Sequence, residues 1–275
     1  MVLDRLLVAY SYLPHHPWKG VVYDRFLPYV KGSWQAPRMR TRFGVRFECD
    51  LRDKVPRAIY YTGFDRRDCR ALRRIIRPGS VILDAGANVG YFTLLFAKWL
   101  RGKGVVHSFE PFPETARRFE RNLELNPGLR PLVRLHRSAL SDFVGKMRMS
   151  VPDQGNQGCN FLSPSGETEV EVTTLDSFCE GERIERVDLI KIDVEGSEVA
   201  LLRGAEKFIR RLRPVLVIEV NQSTLQRFGY SSRDLIEHIG QYGYHLHYAS
   251  RLGLKPLRRA PVFGEEPNVY AFPYT

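Results

Sequence analysis

The run Asp84-Ala85-Gly86-Ala87-Asn88-Val89-Gly90-Tyr91-Phe92 puts an acid at the end of an apolar stretch and glycines in the turn behind it. A strand that runs through such a turn into a helix N-terminus is how open α/β sheets hold nucleotide-like ligands. The run departs from the dinucleotide fingerprint G-x-G-x-x-G, because Asn88 takes the middle glycine position and Asp84 adds a carboxylate. A carboxylate beside the turn repels a pyrophosphate but not a ligand carrying an ammonium and a sulfonium. Glu110 follows twenty residues after Gly90, in HSFEP, where an acid at a strand tip can accept both ribose hydroxyls. Together these features fit S-adenosylmethionine better than NAD or ATP. The turn and its flanks (Gly86, Ala87, Asn88, Gly90, Tyr91, Phe92) would lie under the methionine moiety, Glu110 and the adjoining Pro111 at the ribose, and Ser138-Ala139 against the adenine. The competing reading is that Asp84 and Glu110 only cap helix N-termini.

A second set of charges lies in Lys191-Ile192-Asp193-Val194-Glu195-Gly196-Ser197-Glu198. Alternate residues of a strand share a face, so Lys191, Asp193 and Glu195 can line one side of its carboxyl end. Either a Lys191–Asp193 pair merely holds the sheet together, or Asp193 stands beside the reacting centre. Glu219, in PVLVIEVN, ends the next strand. Asp193, Glu195 and Glu219 are thus the candidate catalytic acids, one of them as general base. A divalent cation held with Asn221 is the weaker version, since no His joins the cluster, and no metal is assigned.

These residues need a sheet to present them. Val81 to Gly86, the HSFEP strand, LVRLHRSAL, VEVTTL, VDLIKIDVEG and PVLVIEV read as strands, and residues 90–100, 114–125, 198–211 and 232–242 as helices. This alternation predicts a mostly parallel sheet covered by helices on both faces. YHLHYA and NVYAFP, with no helix between them, predict an antiparallel hairpin at its edge. Residues 1–54 read as an accessory or lid region packed on a core of residues 55–275. In it, aromatics and prolines precede an alternating stretch, 39–51, that Gly44 breaks as a hairpin turn would. A helix over 65–76 follows. The amide-rich stretch 150–166 reads as a substrate-selecting loop in which Asn156, Gln157 and Asn160 could bind a polyol, or as an ordinary surface loop. His107 and His136 fall inside strands, as core residues.

The 275 residues carry 42 Lys+Arg against 31 Asp+Glu, a net charge of +11, which invites phosphates, nucleic acid or an anionic membrane face. Of the basic residues 33 are arginine, a bias that base composition can also produce. Cys49, Cys69, Cys159 and Cys179 are scattered without metal spacing, which suits structural thiols in a reducing compartment. The N-terminus makes a poor signal peptide, and no uncharged run approaches the ~18 to 20 residues of a membrane span. The expectation is a cytoplasmic protein, with peripheral membrane contact left open.

The strings PGSVILDAGANVGYFTLLFA, FEPFPETARRFERNLELN, SALSD, TTLDSF and LIKIDVEGSEVALLRGA, in that order, resemble the FkbM family of S-adenosylmethionine-dependent methyltransferases. The resemblance runs from about Tyr60 to the end. It implies an α/β class I methyltransferase fold, Rossmann-like, with a seven-stranded sheet, and O-methylation of a hydroxyl on a small molecule, sugar, glycolipid or natural product. Carried over by position, Asp84, Gly86, Asn88, Gly90, Glu110 and Ser138-Ala139 become cofactor contacts, and Asp193, Glu195 and Glu219 cleft acids. Phe64-Asp65 departs from the family's aromatic followed by Glu. An RNA methyltransferase using the basic surface is the alternative, but no Asn/Asp-Pro-Pro-aromatic motif, cytosine-type Cys nucleophile or RNA-binding module supports it. A non-catalytic homologue is the other alternative, disfavoured by the intact set Asp84, Glu110 and Asp193.

Overall fold

The computed structural model describes residues 2–12, 18–62, 66–150, 160–163, 165–250, 252–261 and 267–274. Phe64-Asp65, His15-His16, Asn156, Gln157 and Cys159 lie outside them. Fourteen strands occur in the described residues: β1 (Arg38–Arg42), β2 (Val45–Cys49), β3 (Val81–Ala85), β4 (Val105–Phe109), β5 (Val133–His136), β6 (Ser138–Leu140), β7 (Gly145–Ser150), β8 (Phe161–Leu162), β9 (Thr168–Thr173), β10 (Leu189–Ile192), β11 (Val215–Glu219), β12 (Tyr244–Ser250), β13 (Gly253–Pro256) and β14 (Asn268–Pro273).

The main sheet has the order β13-β12-β14-β11-β10-β3-β4-β5. β3, β4, β5, β10 and β11 pair in parallel, whereas β14 is antiparallel to both β11 and β12. The central strands are buried on both faces, which is why VILDA and LIKI read as nearly continuous apolar runs. Ile82, Val106, Val217 and Tyr270 face one core with Leu72, Leu95 and Phe96. Leu83, Ile190, Leu216 and Ile218 face the other with Val199, Leu202, Ile209 and Leu235. The strand order reverses between β3 and β10, and in open sheets that switch point opens a crevice at the strands' carboxyl ends.

Three expectations need correction. The sheet has eight strands rather than seven, because the basic loop after β12 turns tightly (Ser250↔Gly253) and returns as β13. LVRLHRSAL is two strands: β5 stays in the main sheet while β6 begins a second sheet, of order β6-β9-β7-β8. The helix expected over 198–211 is two, Glu198–Arg203 and Glu206–Leu212. Gly204 lies so close to the chain after β6 that a Cβ would come 2.0 Å from the Ser141 carbonyl oxygen, and its own carbonyl leaves the helix to accept Asp176 N–H at 2.9 Å.

The β1–β2 hairpin turns at Phe43-Gly44, as the alternation predicted. Asn122 and Asn126 of the helix Pro113–Glu124 and its C-terminal turn cover its free edge: Oδ1 of Asn122 accepts Glu48 N–H at 2.8 Å, and Asn126 bonds both N–H and C=O of Arg46. Arg118 on the same helix reaches Asp53 at 3.0 Å. Leu7, Tyr23, Trp34, Phe47 and Leu51 join the first core, so the N-terminal segment is packed on the sheet's helical layer.

Candidate active site

β3 ends at Ala85, and the chain reverses through Gly86 (φ 77°), Asn88 (φ 52°) and Gly90 (φ 83°), left-handed backbone that glycine and asparagine tolerate best. Gly86 is also a steric necessity, since a Cβ there would lie 1.8 Å from the Asp193 carbonyl oxygen at the end of β10. The N–H groups of Gly86 and Ala87 donate to Phe109 O at 3.1 and 2.9 Å, tying the turn to β4. Glu110 completes the tie. One carboxylate oxygen accepts Asn88 N–H at 2.9 Å and the other Phe112 N–H at 3.0 Å. Burial raises its pKa to about 7, against the pull of those two bonds.

The second loop repeats the device. After β10 the chain passes through Glu195 (φ 53°) and Gly196 (φ 108°), and Oε1 of Glu198 accepts the N–H groups of Val194 at 3.2 Å and Gly196 at 3.1 Å. Glu198 is buried, which pushes it to about 7, and its other oxygen has no hydrogen-bond partner among the described residues.

Between the two loops opens a cleft of about 570 Å³, continuous with solvent. Of the residues picked out from the sequence, it brings together Gly86, Asn88, Glu110, Pro111, Ser138, Ala139, Asp193 and Glu195. Its lining does not include Ala87, Gly90, Tyr91, Phe92, Asp84 or Glu219. Gly90 instead packs on Phe119, and Tyr91 and Phe92 are buried in the first core. Phe109, Leu140, Met149 and Leu162 give the cleft an apolar side that reaches into the second sheet. Asn160 and Ser197 also line it, and Asn160 Oδ1 and Ser197 Oγ are buried without hydrogen-bond partners among the described residues. Sequence reasoning named Asn160 but missed Ser197, Met149, Leu162 and Glu198.

Asp84 stands behind the cleft wall with 0% exposure. Burial raises its pKa, opposed by the charge of Lys191 and the Thr93 hydroxyl, which donates to Oδ2 at 2.5 Å. Lys191 is its register partner on β10 and is itself buried. Burial works against the Lys191 cation, but Asp193, Asp84 and Glu219 outweigh it and hold its pKa above the ordinary lysine value. Its ammonium lies 2.8 Å from Asp193 Oδ2 and 4.8 Å from the centre of the Phe92 ring. Asp193 Oδ1 has no hydrogen bond among the described residues. Glu219 ends β11 on the same face. Burial, then the charges of Asp193 and Glu195, push its carboxyl well above the ordinary range while Lys191 pulls the other way. His107 and His136 bond each other at 3.1 Å inside an aromatic stack with Phe178, consistent with a packing role.

This geometry can be set beside known proteins. Residues 84–246 match the family model described as Methyltransferase FkbM domain. Similar curated proteins include "Methyltransferase 1" of Beauveria bassiana, 33% identical over 46% of this chain and 59% of its own. "2-O-methyltransferase NoeI" of Sinorhizobium fredii is 31% identical over 50% of this chain and 62% of its own. "31-O-demethyl-FK506 methyltransferase FkbM" of Streptomyces tacrolimicus is 31% identical over 48% of this chain and 61% of its own. The chain thus spans about three fifths of the length of these relatives. With the family model covering more than half of its residues, the two latched loops included, the chain belongs to the FkbM methyltransferase family.

Proposed function

We propose that the protein is an S-adenosylmethionine-dependent O-methyltransferase acting on a hydroxyl of a small molecule, sugar, glycolipid or natural product. The observation that carries this reading is the single cleft that joins the glycine turn and Glu110 on one wall to Asp193 and Glu195 on the other. Two similar proteins are named for methyl transfer to oxygen, which supports the hydroxyl acceptor.

The residues present fit the cofactor. Phe109, Leu140, Met149 and Leu162 offer an apolar slot of the kind an adenine ring requires, and Asn160 Oδ1 beside it is a buried acceptor with no partner among the described residues. Glu110, with one backbone donor on each oxygen, keeps lone pairs for ribose hydroxyls. When bound, S-adenosylmethionine supplies an electrophilic methyl group on a sulfonium. Everything else is positioning and proton handling by the chain. Aligning a nucleophile with its target is worth ~7 to 11 kcal/mol of the barrier, and a general base adds ~10²- to 10⁴-fold.

Asp193 is the best-placed base. Lys191 fixes it through Oδ2, and Oδ1 remains to accept the proton of an acceptor hydroxyl. Glu219 is set back from the cleft lining, with a carboxyl that burial and the charges of Asp193 and Glu195 push well above the ordinary range, so it is less well placed to take the acceptor's proton. Glu195, on the cleft lining, shapes the acceptor side. Residues 1–54 would act as a cover packed against this core.

The test is titration calorimetry with S-adenosylmethionine together with transfer of a labelled methyl group to a panel of hydroxyl acceptors. Glu110→Ala is expected to weaken cofactor binding at least tenfold. Asp193→Asn should leave binding largely intact and lower turnover about 10²-fold or more. Unchanged affinity in Glu110→Ala removes the cofactor assignment, and full turnover in Asp193→Asn moves the base elsewhere.

A further inference from the structure

We infer that the outer face of the helix Arg66–Ile75, together with the β12–β13 turn, is a docking surface for an anionic lipid membrane. The helix buries Cys69, Leu72 and, just past its end, Ile76. Its exposed side carries Arg67, Arg70, Arg73 and Arg74, and Arg77 follows; positions 67, 70, 74 and 77 form one stripe at helical spacing. Asp68, the acid of its first turn, is turned inward and accepts the Tyr270 hydroxyl at 2.6 Å, so it does not neutralise the stripe. Among the described residues none of Arg67, Arg73, Arg74, Arg77, Lys255 and Arg258 pairs with a carboxylate.

The β12–β13 hairpin lies against this helix: β12 packs on it, and a Cβ at Gly253 would come 3.9 Å from the Arg74 guanidinium. At that turn Leu252 is 89% exposed, more than any other large apolar side chain among the described residues. Lys255 and Arg258, both exposed, extend the positive field beyond it. A row of cations beside a projecting leucine matches a lipid surface in both properties, phosphates for the arginines and acyl chains for the leucine. A single-stranded nucleic-acid face would interleave aromatic platforms with its cations, and the exposed side of this helix has only arginine.

The experiment is flotation of the full chain with vesicles of phosphatidylcholine alone or with about one third phosphatidylserine, at ~0.1 M and ~0.5 M salt. Binding is expected only to the anionic vesicles and only at the lower salt. Each charge removed should cut partitioning about fivefold, so Arg70→Ala/Arg74→Ala should lose roughly 25-fold. Leu252→Asp should weaken binding severalfold, and Lys146→Ala, on the second sheet, should leave it unchanged. If the double variant fails to fold, Leu252→Asp alone decides. Equal binding to neutral vesicles, insensitivity to both variants, or displacement of the vesicles by RNA with no effect of Leu252→Asp would overturn the proposal. None of the substituted residues lines the cleft, so methyl transfer to a soluble acceptor stands or falls separately.

Discussion

The loops after β3 and β10 solve one problem in two ways. Each must turn sharply at a strand's carboxyl end, each uses left-handed residues (Gly86, Asn88 and Gly90; Glu195 and Gly196), and each is latched by a buried glutamate that receives two backbone N–H groups. The latch of the first, Glu110, directly follows the neighbouring strand β4, twenty-two positions beyond Asn88. The latch of the second, Glu198, comes from the helix that the loop itself starts. The first loop therefore depends on β3 and β4 being already paired, whereas the second can close locally. Glu110 also lines the cleft and Glu198 does not, so only one of the two latches doubles as a candidate ligand contact.

Gly86→Ala tests the point where the loops touch, and it should have the largest effect. A methyl group 1.8 Å from the Asp193 carbonyl oxygen has to push β3 and β10 apart, which is expected to cost more than about 4 kcal/mol. Gly79→Ala is the control. It has a comparable φ of 89°, and an added Cβ would meet nothing within 4 Å among the described residues, so it should cost only about 1 kcal/mol. Denaturant midpoints of the two variants separate the clash from the backbone conformation. Similar losses would mean that the loops do not press on each other.

Lys191→Met comes next. It leaves Asp84 fully buried and Asp193 without its cation, and removing one partner of a buried pair costs about 3–5 kcal/mol. Adding Asp84→Asn to that variant should recover part of the loss, because it removes the stranded charge. If the double variant is no more stable than Lys191→Met, Asp84 and Lys191 are not coupled, and the row across β3 and β10 is not an electrostatic unit.

The first loop was far more legible in the sequence than its surroundings. Gly86, Asn88 and Gly90 declare themselves because left-handed backbone restricts residue type, and Glu110 because its offset from the turn follows from one helix plus one strand. Asp84 was legible as an acid at a strand end but not as one hidden behind the cleft wall, since depth is set by which strands flank it. Met149 and Leu162 enter the cleft only through the pairing of β7 with β8 and β9, long-range contacts with no local signal. The break at Gly204 was missed for the same reason: its cause is the Ser141 carbonyl, sixty-three residues earlier. Glu198 could have been found, because an acid in the first turn of a helix behind a glycine is a capping signal.

The pH dependence of stability sharpens the comparison at its smallest scale. Glu198 has an ordinary pKa of 4.5 and is raised by burial to about 7 in the folded protein. Below about pH 4.5 it is protonated in both states, and burial of its charge is not an issue. Between 4.5 and about 7 the unfolded chain releases the proton while the folded protein keeps it, so stability falls as pH rises; above about 7 the loss is complete. Glu198→Gln keeps the shape but cannot ionise, so its stability should fall less than that of the parent between pH 5 and 7.5, by on the order of 2 kcal/mol. Glu110→Gln should flatten the same window by a similar amount, since its carboxyl is raised to the same range. The two variants then part company on cofactor affinity: Glu198→Gln should retain it and Glu110→Gln should lose it, because only Glu110 faces the cleft. If Glu198→Gln shows the full parental fall, the second loop is held by an ionised carboxylate, and the likeness between the two latches ends at their geometry.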